Sequence, residues 1–372
     1  MKVLLIEPIK HDYIPLAFAK LNGFHKAKND EVKFIIGEQY FEVKDYNPDI
    51  IYITTLFIWE KDLCFRIIDY YSKLFPNAKI KVGGINATLL YNKYIEKYKN
   101  VRNIEIVKGM VNYLEEQKPD FSLFNVNYSL VYSTKGCINK CPYCAVWQLE
   151  PNFIEIKNWY DYIDTTKSKI VFMDNNFLCA SKKHITEVLK KCEELKIPID
   201  FNQALDCKYF TDEIGKLFQN VEIHPLRFSF DSKRHEPDIA NAIQVALKYK
   251  KNDICIFILY NFNELPEEIW ERIEIIISAI EVIKPKTNNV YLFPMKFQPL
   301  FDTKKGEYIG KHWSKEKIHN FRMEILNKYF SNGVVRFDNR EHFYRTFGKS
   351  KEEFLNLIKE KPPKEKPLSN FF

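Results

Sequence analysis

The chain has 372 residues, of which 46% are hydrophobic, 15% aromatic and 28% charged, with a net charge of +7. This length holds two or three domains, and the apolar content excludes a disordered chain. The positive balance excludes little by itself, because 56 Lys and Arg are interleaved with 49 Asp and Glu, which reads as a solvated lysine-rich surface and not as a nucleic-acid footprint.

The opening residues MKVLLIEPIKHDY form an apolar run too short for a signal peptide and have no small-residue cleavage site. The longest later apolar stretch, residues 273–283, contains Glu274 and Glu281 and is too short to cross a bilayer. The sequence is therefore read as soluble and cytoplasmic, with no membrane partner and with its 8 cysteines as reduced thiols.

The first third alternates strand and helix. Strands are expected at 2–6, 32–36, 50–54 and 80–82, with helical spacing at 14–21 and 63–74 between them. Strand and helix in alternation imply a parallel, doubly wound sheet. Gly83 and Gly84 follow a strand directly, where the backbone must turn or approach something closely.

A second series begins near Tyr128, with strands expected at 129–133, 170–174, 199–203, 226–231, 254–260 and 290–295. Helix-like segments at 182–195, 211–218, 238–249 and 266–283 separate them, with Ser181 and Thr211 as N-caps. This rhythm predicts a partial (β/α)6 TIM-type barrel, whose chemistry belongs at the C-terminal ends of its strands. After residue 300 a long amphipathic helix is expected at 314–330, then a short segment at 334–338 and a last helix at 351–358. The domain reading is 1–120 for the doubly wound unit, 121–300 for the barrel, 301–360 for a helical C-terminal cap and 361–372 for a charged, Pro-rich tail.

The segment from Tyr132 to Cys144 places Cys137, Cys141 and Cys144 at C-x3-C-x2-C spacing just after the first strand of the second series. Three soft thiolates on one short loop suit an iron-sulfur cluster. A structural zinc site wants four ligands, usually as two pairs, and no second pair is placed to supply them. A Cys141–Cys144 redox pair leaves Cys137 without a role. Three ligands are too few for a cubane of four irons, so one iron stays open to a ligand from outside.

This motif, with the aromatic Tyr143 before its last Cys, resembles the signature of the radical S-adenosylmethionine superfamily. The resemblance implies a 4Fe-4S cluster on Cys137, Cys141 and Cys144, with S-adenosylmethionine chelated at the open iron. One electron from an external donor of the flavodoxin or ferredoxin type then yields a 5′-deoxyadenosyl radical that abstracts a substrate hydrogen. It also implies cosubstrate contacts from Tyr143, from Asp174, Asn175 and Asn176 in place of the usual Gly-Gly-Glu, and from Gln203, Ser229, Asp231 and Asn261 at later strand ends. The bland reading of each of these polar residues is a turn or cap group.

The first 120 residues resemble the cobalamin-binding-type domain that precedes many such barrels, through the opening strand, Pro15-Leu16, Asn47-Pro48-Asp49, Val82-Gly83-Gly84 and Pro119-Asp120. The Asp-x-His-x-x-Gly motif that supplies an axial histidine is absent, since His11 and His25 have other neighbours. A vestigial or substrate-facing domain is therefore expected over cobalamin binding. Only Cys64 precedes the motif, which argues against a second cluster of the methylthiotransferase kind. Two alternatives stay open: a cobalamin-dependent methyltransferase, and a zinc-binding nucleic-acid module. The substrate, whether small molecule, peptide or nucleic acid, is not encoded in the motif.

Overall fold

The computed structural model describes residues 1–283, 289–329, 335–337 and 339–359. The tail expected at 361–372 lies outside the described residues. The protein is mixed α/β with parallel sheets. It divides into two compact units: Met1–Gln203 with Asn220–Ile223 and Gln298–Glu307, and Ala204–Gln219, His224–Phe297 and the described residues from Tyr308 onward.

In the first unit, β1 (Lys2–Glu7), β2 (Glu31–Ile36), β3 (Ile50–Thr55), β4 (Lys79–Gly84) and β5 (Ile104–Ile106) form a parallel sheet in the order β2-β1-β3-β4-β5. The uninterrupted apolar run Val3–Ile6 explains why β1 lies inside it. Successive side chains of a strand point to opposite faces, and here both faces are covered. Leu4 and Ile6 pack with Cys64, Ile67, Ile68 and Tyr71 of the helix Lys61–Leu74. Val3 and Leu5 pack with Phe18 and Leu21 of the helix Leu16–Lys26 and with Phe121 and Phe124. β5, with only three residues, has too little pattern to be expected from sequence.

The six strands of the second series all form: β6 (Tyr128–Val131), β9 (Lys169–Phe172), β10 (Ile199–Phe201), β11 (Leu226–Ser229), β12 (Asp253–Tyr260) and β13 (Asn289–Lys296). They belong to two hydrogen-bonded parallel sets, β10-β9-β6 in the first unit and β11-β12-β13 in the second. Between β6 and β9 lies a pair of two-residue strands, β7 (Thr134–Lys135) and β8 (Ile154–Glu155), and β14 (Val335–Phe337) adds an antiparallel edge to β13. Several of the expected strands end early, because their last residues leave the ladder to form the loops described below.

The expected caps are present. Ser181 Oγ accepts from His184 N at 3.2 Å and Thr211 Oγ1 from Ile214 N at 3.4 Å, each closing a helix start. The expected helix at 314–330 runs through Lys315–Asn320, Phe321–Leu326 and Asn327–Tyr329, with its middle turn wound as a π-helix. In the second unit, Ile258, Leu292 and Pro294 face Ile269 and Ile273 of the helix Glu267–Ile283 across a small gap. The register then puts Ser229, Phe257 and Phe293 side by side on the opposite sheet face. No helix among the described residues is long and apolar enough to cross a membrane.

Candidate metal centre

Beyond β6 the chain makes a closed excursion. β7 pairs antiparallel with β8, matching Thr134 to Glu155 and Lys135 to Ile154, and Ile156 N donates to Ser133 O at 2.9 Å. Residues 136–153 therefore leave the sheet and return to it through a narrow neck, and Cys137, Cys141 and Cys144 all lie on that loop. Gly136 opens it at φ +77°, where a Cβ would collide with the backbone of Asn152. Only glycine meets both conditions.

The end of β9 supports this loop with three successive residues. Asp174 is buried. Its Oδ1 accepts from Ser133 Oγ, Thr134 N and Thr134 Oγ1, each at 2.6 Å, and its Oδ2 from Ser133 N at 3.0 Å. Burial pushes its carboxyl up, against the pull of those four donors. Asn175 Nδ2 donates to Glu150 Oε2 at 2.7 Å, and the same oxygen accepts Gly136 N at 2.8 Å. Asn176 Nδ2 donates toward Cys137 Sγ at 3.4 Å, which also accepts from Asn139 N at 3.3 Å.

Seven of the eight thiols fall into two groups, and the eighth, Cys179, is half-buried apart from both, closing the short 3-10 segment Phe177–Cys179. Cys64, Cys192, Cys207 and Cys255 are core residues, and burial pushes Cys64, Cys192 and Cys207 up to about 12. Cys137, Cys141 and Cys144 are half-buried, and the turn that joins the last two is closed by Cys144 N donating to Cys141 O at 3.1 Å. Among the described residues no group of three or more His, Cys, Asp or Glu side chains is arranged closely enough to hold a single metal ion. A cubane takes one thiolate per iron, so its ligands stand around a body instead of converging on a point. Three half-buried thiols on a pinned loop, with Cys137 Sγ accepting two amide hydrogen bonds, are the kind of donor set that iron-sulfur clusters take.

Next to the neck is a charge cluster that the sequence did not reveal. Lys135 is buried and pairs with Glu115, which Lys20 Nζ also approaches at 3.5 Å. Burial and then, among its neighbours, Lys135 hold Lys20 below the usual lysine range, although Glu115 works the other way. These partners lie far apart in the chain, and nothing local links them.

The remaining expected residues are placed as follows. Tyr143 is half-buried on the loop and Gln203 is exposed just past β10, both in the first unit. Ser229, Asp231 and Asn261 are in the second unit. Ser229 is half-buried on the face shared with Phe257 and Phe293. Asp231 Oδ1 accepts from Leu259 N at 3.1 Å, which ties the end of β11 to β12 and is not a helix cap. Asn261 is buried at φ +65°, its Oδ1 accepting from Gly310 N at 2.8 Å and its Nδ2 donating to Tyr308 O at 3.0 Å. It acts as an internal pin between β12 and the segment at 308–310. Asp174, likewise, holds backbone and hydroxyl groups where the sequence pointed to a cosubstrate contact.

At the C-terminal ends of β1 and β3, where the strand order reverses, ligands bind in sheets of this topology. Here His11 bridges two carboxylates, Nδ1 to Glu7 Oε1 at 2.7 Å and Nε2 to Glu60 Oε1 at 3.1 Å. Burial lowers the pKa of His11, but the two carboxylates outweigh it and the net shift is upward; burial also raises Glu7. Phe57 meets His11 edge-on and stacks on Trp59 at 4.5 Å. Ile9, Phe57, Ile85 and Met110, which follow β1, β3, β4 and β5, are all exposed.

No protein-family model matches the chain, and no curated protein matches it. Two solved structures of a cobalamin-dependent S-adenosylmethionine radical enzyme, OxsB, do. The form with aqua-cobalamin bound matches with a TM-score of 0.56 at 16% identity, over 75% of this chain and 52% of that one. The apo, selenomethionine-labelled form matches with a TM-score of 0.51 at 15% identity, over 75% of this chain and 51% of that one. The chain thus spans about half the length of the structures it matches. At such identities the likeness is one of fold.

Proposed function

We propose that the chain is a radical S-adenosylmethionine enzyme whose Cys137, Cys141 and Cys144 hold one 4Fe-4S cluster. The observation that carries this reading is the loop itself. Three half-buried thiols are hung from a two-residue neck and braced by Asp174, Asn175 and Asn176, in a chain that shares its fold with an enzyme of that chemistry. When bound, the cluster would supply one electron, received from an external donor, to cleave S-adenosylmethionine into methionine and a 5′-deoxyadenosyl radical that abstracts a substrate hydrogen.

The chain's own part is placement. Asp174 fixes Ser133 and Thr134, and so the point at which the loop leaves β6. Gly136 and Glu150 close the loop, and Tyr143 stands within it before Cys144. Within the same unit Gln203, just past the end of β10, is a proposed contact for the cosubstrate's polar groups. A second reading adds cobalamin at the N-terminal sheet, and the exposed apolar side chains that follow four of its strands favour it. His11 would not serve as an axial ligand there, because both its nitrogens are bonded to carboxylates.

Anaerobic reconstitution with iron and sulfide tests the main reading. The expected result is about four irons per chain, and 5′-deoxyadenosine from S-adenosylmethionine with dithionite as reductant. The variant with Cys137, Cys141 and Cys144 all changed to Ala should bind no cluster, and full iron retention by it would sink the assignment. Uptake of hydroxocobalamin, read from its visible absorption, separates the second reading from the first.

A further inference from the structure

We infer that Glu150, Asn175 and Asn176 are positioning residues that hold the cysteine loop in its metal-receiving shape before iron arrives, and that Asn176 also sets the reduction potential of the cluster held there. The inference rests on the ligand assignment above, but its first half concerns the iron-free chain alone.

A loop that presents three thiols to an inorganic core must be ordered at an entropic cost, whether the metal or the protein bears it. Here the protein has the means. One oxygen of Glu150 accepts the Gly136 amide at the start of the loop and the Asn175 side chain from the neighbouring strand end. A single carboxylate therefore joins the first residue of the loop, its far end and β9. Side chains of an extended strand alternate between faces, so three successive residues cannot all reach one loop from a regular strand. They do so here because β9 ends at Phe172 and the backbone turns into a short 3-10 segment at Phe177–Cys179, with Asn176 at φ −157° and ψ 77°. Asp174 then holds the residues before the loop, Asn175 holds Glu150 near its far end, and Asn176 reaches Cys137 at its start.

The contact to Cys137 has an electronic consequence. A hydrogen bond donated to a ligating sulfur favours the more negatively charged, reduced state and raises the potential. The amide proton on Asn176 Nδ2 is such a donor.

Hydrogen exchange on the iron-free protein tests the first half. In Glu150→Ala the Gly136 amide should exchange about tenfold faster, the factor expected from losing one charge-assisted hydrogen bond, and iron uptake at limiting iron should fall. Glu150→Gln should restore both, because an amide oxygen still accepts from Gly136 and Asn175. If Glu150→Ala does not fold, Asn175→Ala must show the same faster exchange. An unchanged Gly136 exchange rate in these variants overturns the first half. For the second, Asn176→Leu reconstituted with excess iron and sulfide should shift the cluster potential to more negative values, and an unchanged potential overturns it. A wild-type chain that binds no iron refutes the ligand assignment and the second half together, while the exchange rates still decide the first.

Discussion

His11 lies between the carboxylates of Glu7 and Glu60, and its pKa and that of Glu7 are both shifted upward. A raised histidine contributes stability that is complete below its unfolded value, near 6.5, and is lost as pH rises through the folded value. A raised glutamate acts in the same direction, since the folded chain then holds its proton more tightly than the unfolded chain. His11→Ala should therefore lower unfolding free energy by about 1 kcal/mol at pH 5.5 to 6, and the gap should narrow above pH 7. Urea unfolding of both proteins across that range checks it; a gap that widens with pH would contradict the bridge. At this scale the sequence disclosed residues whose spacing lies within one segment. That Cys137, Cys141 and Cys144 share one short loop was legible for that reason, as were the capping roles of Ser181 and Thr211. Asp174 was legible as a polar strand end, but its use was not, because four donors from residues 133 and 134 become its neighbours only when β6 and β9 pair. Glu150 offered no signal at all. It follows a helix of four residues, and its role exists only once Gly136 and Asn175 are brought to it.

Among the elements, the helix Glu267–Ile283 carries a fully buried guanidinium. Arg272 Nη1 donates to Phe230 O at 2.9 Å and Nη2 to Leu259 O at 2.8 Å, so one helix holds the ends of two neighbouring strands together. The fork of a guanidinium spans two carbonyls that a single ammonium cannot both reach in line. Arg272→Lys should accordingly cost about 2 to 4 kcal/mol, the desolvation of an unmatched carbonyl plus a misplaced charge. A loss below about 1 kcal/mol in chemical denaturation would show that the fork is dispensable. The long elements were legible because apolar residues recur at a fixed period in each. The strands β5, β7, β8 and β14, of two or three residues each, were not, because no period can be read from so few positions.

For the whole molecule, the distribution of thiols gives a chemical map. Cys64, Cys192, Cys207 and Cys255 lie in the interior, and burial disfavours the thiolate form of the first three. Iodoacetamide added to the native iron-free protein should modify Cys137, Cys141 and Cys144 at least about tenfold faster than those four, as read by peptide mass spectrometry. Prior loading with iron and sulfide should protect the three. Equal labelling of these seven would mean that the two units do not bury what the packing implies. Across the chain, the strand-helix alternation predicted from sequence is present, whereas the division into two compact units runs through the second series after Gln203 and takes segments 220–223 and 298–307 back to the first unit. Long-range returns of this kind leave no trace in local composition.

The narrow neck between β7 and β8 also bears on the order of synthesis. The thiols, their neck and the residues that brace them lie between Ser133 and Asn176, a contiguous stretch of the 372-residue chain. The bracing contacts span at most 41 residues, so none of them waits for a later part of the chain. Every residue of the proposed iron-receiving segment has therefore left the ribosome before any strand of the second unit has been made.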